Sequence, residues 1–514
     1  MDKRIVSIKL NTTTEPKLIK VAPIPKKGLA VEKNVRFKNL RLYLAEYCDA
    51  TTIHGMKYIG ERGRHLLERL AWTITLAFLF TFCLLLIRQA YIKWESSPVI
   101  VTFATKETSI SKIPFPAVTL CPEAKFDPEI FNFTRTFKRK QRGEMLTMLP
   151  NFDPLGITSI KWLGDEIDLG KDLMLSYTPD GVCYTFNMMP YEEMVRYNDS
   201  SNATLDSGNK TNKWSLQDGY PSDDSTTDIY PRRSFIPGFD GGLVIRSIFT
   251  NNSHIDYLCE ESLRGFKVAL HHPCEFPNMD KHFRLPLDQA VLVAIKPSMI
   301  TVSSELLNYS PSVRKCYFPH EKYLANYKLY TQQNCLDECF ANYTFHHCDC
   351  IPFYFSVLNE SLSVCGPGSN ECVKKSKLKY MKIEGNSESD NQQCGCLPSC
   401  TSLSYEVETS QSEWRWEKSF EALDPPQLSH LNPKEMHFSK LKIYYKELQF
   451  LSCERNERYG MIDFFSNMGG LLGLFIGFSV TSAIEILYFC TLRIICNIKK
   501  YGKKSWSGKP NVVK

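Results

Sequence analysis

Two long apolar runs stand out from a chain of shorter alternating segments. Leu70–Ile87 holds 18 residues without a charge between Arg69 and Arg88, enough for an α-helix to cross a hydrocarbon core. Phe464–Ile484 gives 21 more, and beyond Glu485 the apolar run resumes to Leu492. As one helix, Phe464–Leu492 would extend ~43 Å at 1.5 Å per residue. That exceeds a core of about 30 Å, so the pattern predicts strong tilt or a break near the glycines. Gly469, Gly473 and Gly477 recur at i, i+4 and i+8 and share one helix face. Ser479 and Ser482 continue a polar thread to Glu485. Such a face suits small-residue packing in an anchor helix or the wall of a pore. The carboxylate favours the pore, because an ionisable group inside a span is costly and usually faces a water-filled cavity.

Between the spans the apolar runs become short and β-prone: SKIPFPAVTLC at Ser111–Cys121, GVCYTFN at Gly181–Asn187, and GLVIRSIFT, GFKVALHH and AVLVAIKPSMITV between Gly242 and Val302. These read as strands of a sheet-rich domain. The polar stretch from Tyr197 to Ser234 reads as a surface loop. From Glu61 a helical pattern leads into the first span, and His54-Gly55 just before it reads as a turn.

Composition sharpens the topology. The 514 residues have room for two to four domains. The net charge of +6 is modest and unevenly placed, without the basic stripe and interleaved aromatics of a nucleic-acid binder. It points instead to a lipid bilayer. After Leu492 come Arg493, Lys499, Lys500, Lys503, Lys504, Lys509 and Lys514 with no acid, and the N-terminal arm is also basic. Both termini are therefore expected in the cytoplasm, in a multi-pass plasma-membrane protein. The first apolar run is too late and too long for a cleaved signal, so it is expected to persist as an anchor. Eight Asn-x-Ser/Thr sequons fall between the spans, at Asn132, Asn198, Asn202, Asn209, Asn251, Asn308, Asn342 and Asn359, as expected of a glycosylated extracellular segment. Within it, Lys138-Arg139-Lys140-Gln141-Arg142 contains an Arg-x-x-Arg pattern. It reads as a solvated charge run or as a cleavage site for a secretory-pathway protease.

Of the 19 cysteines, fifteen lie from Cys121 to Cys453, which indicates folding in an oxidising compartment. Ten crowd into Cys316–Cys400 with nearly mirror-like spacing: Cys335 and Cys339 share one helix face, and Cys394, Cys396 and Cys400 return with close spacing. Nested bridges between two antiparallel segments follow, with connectivity left open by spacing alone. Cys259 and Cys274 are a further candidate pair. His346-His347-Cys348-Asp349-Cys350 raises zinc ligation, but an even run of extracellular cysteines favours disulfides, so no metal is expected. No nucleophile–base pair or phosphate-cradling loop stands out, so no catalytic residues or enzyme activity are expected.

Taken together, His54-Gly55, FPAVTLC at Phe115–Cys121, CYTFN at Cys183–Asn187, the ten-cysteine run and GLFIGFS at Gly473–Ser479 resemble the degenerin/epithelial sodium channel family. The forms YCDATTIHG and CLDECFANYTFHHCDCIPFYF are most similar to its insect pickpocket branch. The resemblance implies an α/β membrane protein in which two transmembrane helices flank a large disulfide-rich extracellular domain with a β-sheet palm and helical thumb and finger elements. It implies a homo- or hetero-trimer of related subunits. The corresponding division is a cytoplasmic arm at 1–65, a first transmembrane helix at 66–92, an extracellular domain at 93–459, a second transmembrane helix with the pore at 460–492, and a basic tail at 493–514.

By motif position, Gly477, Phe478 and Ser479 match the family's selectivity filter, with Phe478 where most relatives carry a small residue. Ser466 matches the position where bulk holds the gate open, Gly473 the amiloride-type blocker site, and His54 and Gly55 the cytoplasmic gating motif. The family pattern implies the bridges Cys121–Cys183, Cys316–Cys400, Cys335–Cys396, Cys339–Cys394, Cys348–Cys372 and Cys350–Cys365. Cys259–Cys274 would then be additional and Cys453 unpaired. Acid-sensing members carry an aromatic residue shortly before the first thumb cysteine, whereas here Ser312-Val313-Arg314-Lys315 precedes Cys316.

The expected function is that of a pore-forming subunit of an amiloride-sensitive-type, sodium-selective channel, with sodium as permeant ion and no cofactor. Glu485 is expected to form an inner-pore carboxylate ring or, alternatively, to pair with Arg493 or a lysine at a helix end. The alternatives are a non-conducting or auxiliary subunit of the same family and an ATP-gated trimeric channel.

Overall fold

In the computed structural model, the strand Gln289–Val302 buries Val291, Val293, Ile295 and Pro297 on alternate positions, the two-residue period of a strand with one face on a core. The structure describes residues 28–96, 99–123, 132–139, 156–196, 214–215, 219–221, 230–251, 263–358, 363–385, 394–423, 436–502 and 505–508. Asn198, Asn202, Asn209, Asn359, Cys259 and Lys140–Arg142, which the sequence singles out, lie outside them. The chain divides into a unit of Ser97–Arg458 and a second formed by Met1–Ser96 with Tyr459–Lys514.

The strands in chain order are β1 (Val99–Phe103), β2 (Thr108–Ser109), β3 (Ala117–Pro122), β4 (Gly156–Trp162), β5 (Asp165–Glu166), β6 (Leu173–Thr178), β7 (Gly181–Phe186), β8 (Leu243–Asn251), β9 (Phe266–His271), β10 (Phe283–Leu285), β11 (Gln289–Val302), β12 (Ser402–Glu413), β13 (Met436–Tyr445), β14 (Gln449–Phe450) and β15 (Cys453–Glu457). The helices used below are α1 (Gly28–Ala50), α2 (Met56–Gly60), α3 (Leu66–Ser96), α4 (Gln332–Cys348), α5 (Asn370–Gly385), α6 (Met461–Ile476), α7 (Val480–Cys490) and α8 (Leu492–Tyr501).

Within Ser97–Arg458 the larger sheet runs β1-β15-β11-β13-β8-β4-β5, and β12 also pairs with β11. β11 is its organising strand, antiparallel to β12 and parallel to both β13 and β15. A five-stranded sheet runs β10-β9-β3-β7-β6, with β3 buried along its whole length. Leu120, Phe186, Phe266 and Val268 of this sheet join Leu243, Ile245, Val291, Val293, Leu441 and Ile443 of the larger one in a single apolar core. Burial of this kind is worth ~25 cal/mol per Å² of apolar surface.

Strand register sets one bridge directly. Val118, Thr119 and Leu120 face Phe186, Thr185 and Tyr184, so the next pair brings Cys121 opposite Cys183, where a disulfide joins Cα atoms 4.4 Å apart. The others are Cys316–Cys400, Cys335–Cys396, Cys339–Cys394, Cys348–Cys372 and Cys350–Cys365. Three of them nest: Cys335 and Cys339, one turn apart on α4, meet Cys396 and Cys394 inside the span closed by Cys316–Cys400. Each bridge typically contributes 2–4 kcal/mol.

One pairing is corrected. Cys274 does not bridge to Cys259 but carries a free, fully buried thiol that donates to Met189 Sδ at 2.9 Å. Its side chain belongs to an apolar cluster with Met188, Tyr327 and Tyr330, so packing holds it in the interior. Cys453 is also free, half-buried in β15. Asn308 and Asn342 are exposed, whereas half-buried Asn132 caps a short helix by accepting from the Arg135 N–H.

Candidate functional site

The over-long second apolar run is resolved by a break. α6 ends at Ile476, α7 begins at Val480, and Gly477-Phe478-Ser479 lies between them outside any helix. Gly477 adopts φ +66°, the left-handed conformation in which a glycine C-cap turns the chain out of a helix. Its N–H donates to Gly473 O at 3.0 Å, and the Phe478 N–H to Leu472 O at 3.2 Å. These bonds satisfy carbonyls that the broken helix would otherwise leave bare. Ser479 then caps α7: its oxygen accepts from the Ser482 N–H while its own N–H donates to Ser482 Oγ at 3.1 Å. That is the reciprocal pattern of a capping box. Phe478 is half-buried.

The segment between α1 and α2 packs into this break. The His54 N–H donates to Ile476 O at 3.0 Å, taking a carbonyl at the end of α6. A Cβ built on Gly477 would fall 2.7 Å from the His54 ring. Thr52 completes the joint: its hydroxyl lies 2.7 Å from Ser482 Oγ, and its N–H donates to Glu485 Oε2 at 3.0 Å. Ser482 is fully buried. Gly55 caps α2 with φ +81° and sits against Leu76 of α3. His54-Gly55 is thus a turn, and the helix of the first span begins at Leu66 rather than Glu61. Sequence reasoning singled out His54, Gly55, Gly477, Ser479 and Glu485, and the structure brings them together. It missed Thr52, because an isolated threonine some 430 positions from its partners leaves no local pattern.

The glycine face answers the packing question for a single chain. α6 meets α3 through Phe464, stacked 5.5 Å from Trp94, and through Phe475, 5.5 Å from Phe82. At 3.6 residues per turn, Ser466, Gly469, Gly470 and Gly473 lie on the opposite side of α6. A Cβ on any of these three glycines would meet nothing within 4 Å, and Ser466 is exposed. The glycines are therefore not required for contact inside the chain.

Glu485 is not paired with Arg493. The Arg493 guanidinium instead binds the Glu46 carboxylate of α1, and Tyr43 donates to Phe489 O at 2.5 Å. Among the described residues no cluster of metal-ligating side chains occurs. Among the described residues, two helical stretches are long and apolar enough to cross a membrane, Leu66–Glu95 and Val480–Tyr501, the latter made of α7 and α8 end to end, and Met461–Ile476 is a shorter apolar helix.

The family model for amiloride-sensitive sodium channels matches residues 47–154 and 148–489. Among curated relatives, pickpocket protein 28 of Drosophila melanogaster is 29% identical, with 88% of this chain and 78% of the relative covered. Sodium channel protein Nach of the same species is 21% identical, with 90% and 89% covered. Acid-sensing ion channel 4-B of Danio rerio is 21% identical, with 86% and 75% covered. The match sets aside the ATP-gated alternative. Members of the matched family are membrane ion channels, not enzymes, and assemble as oligomers of related subunits. The chain belongs to the amiloride-sensitive sodium channel family.

Proposed function

We propose that the chain is a pore-forming subunit of a trimeric, sodium-selective channel of the plasma membrane, with both termini cytoplasmic and Ser97–Arg458 outside the cell. The observation that carries this reading is the broken second span, whose Gly477-Phe478-Ser479 step is held open by backbone caps and braced by Thr52 and His54. Non-helical backbone at membrane depth is tolerated where it lines a water-filled cavity. Small residues and free carbonyls are what a cation constriction uses. The unoccupied face of Ser466, Gly469 and Gly473 supports a pore wall with the gate at Ser466 and blocker contact at Gly473.

Glu485 lies beyond the break, where three copies would place a carboxylate ring. Glu485→Gln is expected to lower single-channel sodium conductance by roughly twofold or more, since like-charged pore walls concentrate counter-ions. Unchanged conductance and permeability would remove its role. The measurement needs no known stimulus if Ser466→Val holds the gate open. Surface-delivered channels that stay silent with that substitution, alone or with related subunits, would instead indicate a non-conducting subunit.

A further inference from the structure

A cavity of about 180 Å³ lies inside the Ser97–Arg458 unit, between α4, α5, the β6–β7 turn and the loop after β9. Its walls are largely apolar and carry a cluster of rings, with Phe276, Phe340, Tyr354, Phe355 and Tyr380 among the lining residues. These rings brace one another: Phe340 stands 5.5 Å from Tyr380 and 6.3 Å from Phe355. Asp337 of α4 brings a carboxyl group to the same cavity. It accepts from Gln333 Nε2 at 2.9 Å, and Gln333 Oε1 in turn accepts from Asn278 at 3.3 Å. Lys377 also lines the cavity, but its ammonium is committed to both oxygens of Asp280 at 2.7 and 2.8 Å.

Electrostatics agree with a carboxyl lacking a close cation. Burial pushes Asp337 up to about 7, with Glu275 and Asp280 adding to the rise and the Gln333 hydrogen bond and Lys377 opposing it. Glu275 is likewise raised to about 7 by burial, against the Thr331 hydrogen bond and the charge of Lys281.

We propose that this cavity binds a small organic cation, a primary ammonium carried on one aromatic or short aliphatic body. The Asp337 carboxylate receives the ammonium in charge-assisted hydrogen bonds, and the ring walls receive the body and add cation–π attraction. The volume is below the roughly 300–1,000 Å³ of sites for drug-sized molecules, which selects a monoamine-sized ligand. An organic acid would face Asp337 and Asp280, and a neutral alcohol would leave the charged form of Asp337 uncompensated. A bound amine would join α4 and α5, already cross-linked by Cys348–Cys372, to the β6–β7 turn. This deepens the proposed function by naming the class of an extracellular stimulus, and only its gating consequence rests on that reading.

The test is direct binding of 2-phenylethylamine, with 2-phenylethanol as neutral isostere, to the purified full-length protein. The amine should bind at least tenfold more tightly than the alcohol. A carboxyl titrating near 7 is about nine-tenths ionised at pH 8 and about one-tenth at pH 6, so amine affinity should fall about tenfold from pH 8 to pH 6. Asp337→Asn should remove both the preference and the pH dependence. Lys377→Met, which releases Asp280, should tighten amine binding, a gain that misfolding does not produce. Equal binding of the two probes, or amine binding unaltered by Asp337→Asn and Lys377→Met, overturns the proposal, as does no amine binding to protein shown to be folded. Binding without evoked current would leave the site standing and count against the gating role alone.

Discussion

Gly477→Ala is expected to abolish current while leaving the protein at the cell surface. Two costs coincide at this residue. The backbone sits at φ +66°, where a side chain costs roughly 1–2 kcal/mol. The added methyl would also lie 2.7 Å from His54 Cγ and Nδ1, a distance at which one partner must move. The His54 main chain cannot retreat freely, because its N–H is bonded to Ile476 O. The strain would therefore fall on the Gly477–Ser479 step and displace the carbonyls proposed to meet the ion. The region contributes nothing to the core of the Ser97–Arg458 unit, so folding and delivery should survive. Recording in the Ser466→Val background, with surface labelling in parallel, separates the two. Normal current in Gly477→Ala would mean that the break does not shape the conduction path. Adding His54→Ala removes the contact but not the backbone cost, so it should restore current only partly.

Arg314→Ala is expected to keep the protein from reaching the surface. Arg314 is fully buried, and its guanidinium donates to Tyr309 O at 2.6 Å, binds the Glu321 carboxylate and lies 4.3 Å over the Phe318 ring. Glu321 also accepts the Phe318 N–H at 2.7 Å. Burial alone would raise the Glu321 carboxyl, but these bonds and the Arg314 charge hold it below its ordinary value. Removing the cation leaves that half-buried carboxylate without its partner and empties a fully buried site; breaking a fully buried pair typically costs about 3–5 kcal/mol, which sets the upper end here. Domains have only about 5–15 kcal/mol in all. Loss of mature glycans and of surface label is the readout, and wild-type levels of both would refute the argument. Arg314→Met with Glu321→Leu should be far milder, since replacing both members of a buried pair is often close to neutral.

What was legible in the sequence were the features written as dense local pattern. A 29-residue apolar stretch interrupted by glycines cannot remain one straight span, and Gly477 is where it turns. The close spacing of Cys335 with Cys339 and of Cys394 with Cys396 showed that nested bridges would form, but which thiol met which came only from the family resemblance, since spacing leaves the connectivity open. Pairings between distant single residues were not legible. Thr52 reaches Ser482 and Glu485 only because the fold returns α1 and α2 to the second span. Arg314 reads as an ordinary basic residue of the Ser312-Val313-Arg314-Lys315 run before Cys316, yet it anchors that corner. Asp337 sits two residues from Cys335 and reads as an ordinary helix-surface acid until α5 and the loop after β9 cover it. Cys274 was misassigned because counting cysteines tells nothing about which thiols point into an apolar cluster.

The first disulfide has a bearing on backbone scission. Cys121 and Cys183 are 62 positions apart, and the Arg139–Arg142 pattern falls between them. A protease cutting after Arg142 would make two polypeptides without making two molecules. The piece bearing the first span would remain tied to the rest through adjacent strands of one sheet, and the pieces would separate only after reduction and unfolding. Cleavage there would loosen the channel internally and shed nothing.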